Sequence, residues 1–194
     1  MTLSTFWGNN PLKADSNGVT QLVASGPDVR SDSLRNAILN AVFRANRRIW
    51  IVTPYFVPDE LLLDALCIAA SRTVAVSIIT PKKSNHRLAD LVREGYLARV
   101  QEAGADIRLY EPRMLHAKAS LVDDWLAILG SANMDMRSIL LNYEIALCLY
   151  DSDAIRKLET WIKELTADCS IRQQRQGSSL GLIEGVGRLF APLL

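Results

Sequence analysis

The stretch from Leu115 to Glu144 gathers side chains that act on phosphate. His116 and Lys118 stand two residues apart and Asp123 follows. Then come Gly130-Ser131-Ala132-Asn133 and, further on, Asn142-Tyr143-Glu144. In an extended chain residues i and i+2 share a face. A strand over residues 115–122 therefore turns His116, Lys118 and Ser120 one way and Ala117, Ala119 and Leu121 the other. A nucleophile-capable imidazole and a fixed cation end up side by side. The same alternation over residues 143–150 sets Glu144 with Ala146 and Cys148, a lone carboxylate in an apolar strand. Buried without a partner it is costly, and His116 is the best candidate to pair with it. Ser131 and Asn133 share a face and can donate hydrogen bonds to an anion. Together these groups describe a phosphate-sized pocket with an imidazole oriented by a carboxylate. Asp123 falls on the parity opposite to His116 and reads as a residue tying the turn rather than a phosphate ligand.

Those residues need a scaffold, and the hydrophobic pattern supplies one. Val19–Ser25 reads as a strand ended by Gly26-Pro27. Leu34, Ala37, Ile38, Ala41, Val42 and Ala45 form a helical stripe after Ser33. A strand over Ile49–Thr53, a helix over Asp59–Ser71, a strand over Thr73–Thr80 and a helix over His86–Ala103, closed at Gly104, continue the alternation. Strand then helix, repeated, predicts an α/β fold with a sheet covered on both faces. After a strand at Asp106–Tyr110 the rhythm changes to three strands with little helix between them, the first two joined by a tight turn at Asp123-Asp124. The sheet is therefore predicted to be mixed. A closing amphipathic helix carries Ile155, Leu158, Ile162 and Leu165 on one face.

Composition narrows the function further. The 194 residues carry 22 Lys plus Arg against 21 Asp plus Glu, a net charge of +1, which argues against a dedicated nucleic-acid binder. Cys67, Cys148 and Cys169 are too few and too scattered for a disulfide framework or a zinc site, and point weakly to a reducing compartment. No signal peptide is visible at the N-terminus, and no apolar run reaches the roughly 18 residues that span a bilayer.

The combination of motifs resembles the phospholipase D superfamily, whose His-x-Lys-x4-Asp signature is followed by Gly-Ser/Thr-x-Asn and then a Glu. Here these are His116, Lys118, Asp123, Gly130, Ser131, Asn133 and Glu144, and Asp135, Arg137 and Ser138 complete an Asn-x-Asp-x-Arg-Ser extension similar to bacterial cardiolipin synthases. Tyr55-Phe56-Val57-Pro58-Asp59, Leu141-Asn142-Tyr143-Glu144-Ile145 and the ending Arg188–Leu194 also look like that subfamily, so the resemblance covers roughly residues 19–194. It implies a phospholipase D-like sandwich, a mixed β-sheet with helices on both faces. It implies His116, Lys118, Asp123 and Glu144 as the catalytic set. Lys118, Ser131 and Asn133 then bind the substrate phosphate, and Asp135, Arg137 and Ser138 give structural support. Glu144 corresponds to the carboxylate that orients the imidazole. The implied chemistry is a two-step exchange at a phosphodiester through a phosphohistidine, with a second histidine as acid and then base. No metal and no cofactor are required, because Lys and Asn supply the charge stabilisation.

One motif copy is half an active site, and His86 lacks the Lys at +2 and the downstream Ser and Asn. The expected second half is either covalent, in a longer chain of which this is the C-terminal part, or a homodimer mate. The leading function is phosphatidyl transfer giving cardiolipin and glycerol from two phosphatidylglycerol molecules. The alternatives are a phospholipase D-type hydrolase of phospholipid or nucleic acid, working as a homodimer, and an inactive half-enzyme. Expected partners are anionic phospholipid and the membrane surface, with the chain peripheral on the cytoplasmic face of the cell membrane. Expected organisation is a leader at 1–18, the domain at 19–170 and an amphipathic tail at 171–194. Further expectations are an apolar ligand wall from Phe56-Val57-Pro58 and Leu61–Leu63, a solvated Arg44/Arg47/Arg48 face, and an Arg137 salt bridge with Asp123 or Asp135.

Overall fold

The computed structural model describes residues 19–29 and 32–173. The leader at 1–18 and the tail beyond Gln173 lie outside the described residues. In chain order the elements are β1 (Thr20–Ser25), α1 (Ser33–Arg44), β2 (Arg48–Val52), β3 (Phe56–Val57), α2 (Glu60–Ser71), β4 (Ala75–Pro81) and α3 (Arg87–Glu102). They continue with β5 (Asp106–Tyr110), β6 (Ala119–Val122), β7 (Leu126–Gly130), β8 (Met134–Asp135), α4 (Met136–Leu140), β9 (Glu144–Leu149), α5 (Ser152–Ala167) and β10 (Cys169–Ile171).

Eight strands form one mixed sheet in the order β1-β9-β7-β6-β2-β4-β5-β10, and β3 and β8 make a small parallel pair beside it. Only β2, β4 and β5 are mutual parallel neighbours; the remaining pairings in the large sheet are antiparallel. Strand alternation sorts the core into two layers. Ile49, Ile51, Val76, Ile78, Ile107, Val122 and Ile128 pack with α1, α2 and α3 on one face. Val52, Ile79, Leu121 and Ala127 pack with Ile155, Leu158 and Ile162 of α5 on the other. The mixed, two-side-covered sheet expected from the pattern is the observed one.

Local chemistry sets the element ends. The Asp59 carboxylate caps α2 by accepting from Leu61 N (3.1 Å) and Leu62 N (3.3 Å), and it pairs with Arg35 of α1 at 2.7 Å. Asp151 caps α5 through Ala154 N at 2.9 Å. Gly104 takes the left-handed conformation (φ 111°) that ends the α3 segment. At Gly130 a Cβ atom would lie 2.5 Å from the Ile145 carbonyl oxygen, so only glycine lets β7 and β9 approach this closely.

Several expectations change. Phe56, Val57, Pro58, Leu62 and Leu63 are buried, and of that group Leu61 is exposed. They belong to the core because β3 turns inward to pair with β8, so they do not wall a ligand site. Arg48 is no solvated cation. Its guanidinium stacks on Trp50 at 4.8 Å and pairs with Glu159 (2.7 Å) and Asp124 (2.6 Å). The folded unit also runs past 170: β10 pairs with β5, and Arg172 is 6% exposed, ion-paired to Glu94 at 3.0 Å and bonded to Gln101. Its backbone N–H donates to Ile107 O at 2.9 Å. The sheet thus claims residues assigned in sequence to a separate tail.

Candidate active site

Strand direction brings the phosphate-reactive residues to one edge of the large sheet. The C-terminal ends of β1, β2, β4, β5 and β7 and the N-terminal ends of β6 and β9 all lie there. His116 and Lys118 precede β6, Ser131 follows β7, Glu144 opens β9, and Tyr55 follows β2.

His116 and Lys118 do not sit in a strand. The β6 ladder starts at Ala119, opposite Val52, the last residue of β2. Beyond it β2 breaks at Thr53-Pro54, so the β2 ladder ends there, and on the other side only the Lys118 carbonyl still accepts from Gly130 N of β7, at 3.3 Å. The two side chains meet all the same. Lys118 Nζ lies 3.1 Å from His116 Nδ1 and 3.3 Å from Nε2, and it donates to the His116 carbonyl at 2.9 Å. Burial and the neighbouring Lys118 ammonium together hold the His116 pKa below the ordinary histidine value. Burial likewise lowers the Lys118 pKa, opposed by the Glu144 and Asp135 carboxylates. Both effects favour the unprotonated imidazole, the form with a nitrogen lone pair to offer.

The structure assigns Glu144 different partners from those expected. It is half-buried, its Oε2 accepts from the Ser131 hydroxyl, and its Oε1 accepts from Asn142 Nδ2 at 3.4 Å. The expected contact with His116 is not made. Hydroxyl and amide donors from the two flanking loops reach the carboxylate instead. The Ser131 hydroxyl also accepts from Ile145 N at 3.0 Å, and Ser131 N donates to Ile145 O at 3.0 Å, locking the end of β7 onto β9. Ser131 is consequently engaged with Glu144 and Ile145 as well as exposed to an incoming anion.

Asn133 turns toward α4. Its Nδ2 donates to the Ser138 hydroxyl at 3.1 Å, while its buried Oδ1 has no hydrogen-bond partner. The Asp135 carboxylate accepts from Ser138 N at 2.6 Å, capping α4. Burial pushes the Asp135 pKa up, against hydrogen bonds from Ser138 and Asn133 that lower it. Asp135, Ser138 and Asn133 thus form one buried polar knot behind Lys118 and Glu144. Arg137 is exposed and forms no ion pair among the described residues, so the expected salt bridge is absent. It lies on the solvent side of a one-turn helix whose other side carries Ser138 and Ile139 into the core.

Asp123 sits at the far end of β6 from Lys118, five residues or roughly 16 Å along the strand. It adopts a left-handed conformation (φ 49°). Its carboxylate accepts from the backbone N–H groups of Asn46 (3.0 Å), Arg47 (2.9 Å) and Arg48 (2.9 Å). Burial alone raises its pKa, but these N–H donors outweigh it and hold the group below the ordinary carboxylate value. The turn-tying assignment from parity and this geometry agree; a phosphate contact does not fit.

Two groups escape a reading limited to residues 115–144. Thr53 Oγ1 donates to Tyr55 O (2.8 Å) and accepts from Met134 N (3.0 Å), pinning the end of β2 to the start of β8. Tyr55 hydrogen-bonds through its phenol to Asn85 and lies 6.0 Å, ring to ring, from His86, within electrostatic reach of Asp135. The Thr53-Pro54-Tyr55 sequence at a strand end was the available signal. Among the described residues no three His, Cys, Asp or Glu side chains gather as a metal-binding group.

Comparisons with known proteins agree with this architecture. The family model described as cardiolipin synthase, PLD-like domain, matches residues 38–166. Cardiolipin synthase 1 of Bacillus anthracis is 38% identical over 185 residues, 93% of this chain and 36% of that protein. Cardiolipin synthase A of Buchnera aphidicola is 35% identical over 186 residues, 94% of this chain and 38% of that protein. The chain thus spans little more than a third of the length of these curated relatives. Among solved structures, the phospholipase D family member Nuc from Salmonella typhimurium has a TM-score of 0.68 at 20% identity, covering 81% of this chain and 99% of that chain. Phosphatidylserine synthase from Haemophilus influenzae has a TM-score of 0.68 at 18% identity, covering 91% and 46%. At these identities the structural likeness is one of fold, and the sequence match carries the family: the chain belongs to the PLD-like domain family of the cardiolipin synthases.

Proposed function

We propose that this chain supplies one half of a phosphatidyl-transfer site that converts two phosphatidylglycerol molecules to cardiolipin and glycerol. The observation that carries the reading is the His116 imidazole held 3.1 Å from the Lys118 ammonium on an exposed strand-end edge. A lone pair and a fixed cation 3.1 Å apart suit attack on an anionic phosphorus centre, where the cation offsets the charge that builds on the phosphoryl oxygens. A His116 nitrogen forms the bond to phosphorus, the P–O bond to glycerol breaks, and the glycerol oxygen takes a proton from a second acid. The hydroxyl of another phosphatidylglycerol then attacks phosphorus. The P–N bond breaks, and the acceptor proton passes to that same second group. Ser131 and Asn133 serve the phosphate by exchanging their present acceptors, and Glu144 sets the polarity of the Ser131 side.

The second acid belongs to a second half. Its absence here fits relatives that are nearly three times as long. An open sheet face supports the same reading. α5 covers the β2–β6 side, whereas Leu22, Leu129 and Ile145, on β1, β7 and β9, remain exposed next to Ser131 and Glu144. A matching half docked there places its own histidine near His116. Family membership and lipid substrate further support a peripheral place at the membrane. The three free thiols, Cys67, Cys148 and Cys169, favour its reducing, cytoplasmic side.

Radiolabelled phosphatidylglycerol incubated with the protein together with a second PLD-like half that carries the partner histidine, followed by lipid separation, tests the proposal. Cardiolipin plus glycerol is the expected product, with an acid-labile, base-stable label on the protein that His116→Ala abolishes. Phosphatidic acid as sole product would replace transfer by hydrolysis. Undiminished product from His116→Ala would end the proposal.

A further inference from the structure

A second feature of the same sheet edge lies on the β4–β5 side of His116. The segment between β4 and α3, residues 82–86, and the first turns of α3 project beyond the strand ends. Leu88 and Leu91, one helical turn apart, are 46% and 48% exposed.

The charges around these leucines are unevenly spent. Lys82 pairs with Glu111 (2.8 Å), Asp90 with Arg93 (2.9 Å), and Glu94 with Arg172 (3.0 Å). Every acid of this corner is thereby neutralised within the fold. Lys83, Arg87 and Arg113 are exposed and form no ion pair among the described residues. Arg113 belongs to this corner because Lys82 N donates to Tyr110 O at 2.8 Å, holding the loop after β5 against the loop after β4. The corner combines a protruding leucine pair with three uncompensated cations, although the whole chain is almost neutral.

We propose that this corner is the membrane-docking surface of the domain. Leu88 and Leu91 enter the headgroup boundary, and Lys83, Arg87 and Arg113 meet lipid phosphates of an anionic bilayer. The complementarity is chemical: short apolar insertion supplemented by cations is what an anionic interface rewards. The surface is also continuous with the reactive edge. The loop that carries Arg113 runs directly on to His116 and Lys118, so the docking cations and the reactive pair share one edge of the sheet. The inference rests on a lipid substrate for the His116 site, but it is tested by binding rather than turnover.

Co-sedimentation with vesicles of phosphatidylglycerol and phosphatidylcholine, against phosphatidylcholine alone, is the decisive measurement. The unaltered protein is expected to bind the anionic vesicles and to be released by salt. Lys83→Glu with Arg87→Glu is expected to weaken binding by about tenfold or more, since each cation near the surface contributes measurably. Leu88→Ser with Leu91→Ser is expected to leave a weaker, wholly salt-sensitive association. Both pairs are exposed, and unchanged melting temperatures verify that each variant is folded. His116→Ala is expected to bind as the unaltered protein does, which separates docking from chemistry. Unchanged vesicle binding in both double variants would overturn the proposal. So would lost self-association of the leucine variant in lipid-free sedimentation, which would make the corner a protein contact.

Discussion

Lys118 works on two sides. Its ammonium adds to burial in lowering the His116 pKa, and its donors rest on the His116 ring and carbonyl. Lys118→Met removes the repulsion between two cations, so the His116 titration midpoint is expected to rise. Proton NMR reads this cleanly, because His86 is the one other histidine. As pH falls through the lowered His116 pKa the nucleophile is lost, so the acid limb of the rate profile should move to higher pH in the same variant. Removing the cation should also cost about 10²–10³ in turnover, the scale of losing one preorganised charge-stabilising donor. Residue identity made this pair legible in the sequence. Its geometry was not. Parity placed His116 and Lys118 on one face of a strand that does not exist there, and they meet because the lysine folds back over its own loop. Glu144 was singled out correctly as an anomalous carboxylate in an apolar strand. Its partners were missed because Ser131 and Asn142 reach it from loops, and alternation says nothing about loops.

The elements from β1 to β5 could be traced almost to the residue, since apolar stripes at helical spacing and β-branched runs between turn residues are local signals. The short pieces β3, β8, α4 and β10 could not, because two to five residues carry no period and depend on what they pack against. Asp123 shows an element held by one side chain: its carboxylate binds three successive N–H groups where β2 begins, with backbone strain accepted at φ 49°. Asp123→Ala should therefore destabilise the domain by about 2 kcal/mol, as loss of hydrogen bonds to a charged group does. Chemical denaturation at neutral pH measures it. Because the folded pKa lies below the unfolded one, this stabilisation is complete above the unfolded carboxylate pKa and fades as pH falls through the folded value. The gap between variant and unaltered protein should accordingly narrow in acid.

For the molecule as a whole, the two sheet faces are unequal. Three helices cover one completely; α5 covers only part of the other. Leu22, Leu129 and Ile145 remain as an apolar ledge beside the reactive edge. Ile145→Asp should reduce association with a second copy of this fold, measured by sedimentation velocity, while leaving the monomer's melting temperature nearly unchanged because the position is exposed. At the opposite border Arg172 seals β10 onto the sheet, and Arg172→Met should lower stability by about 2 kcal/mol through its severed Glu94 and Gln101 contacts. That border was invisible to composition, since a three-residue strand and one buried arginine look like the start of a polar tail.

The crossing at Gly130 also constrains how such a protein changes over generations. A methyl group there would collide with the Ile145 carbonyl and prise β9 from β7, carrying Glu144 away from Ser131. The restriction is one of backbone clearance, which neighbouring Leu129, already carrying a side chain on the solvent face, does not share. A lineage that loses the glycine should abandon the serine–glutamate link with it.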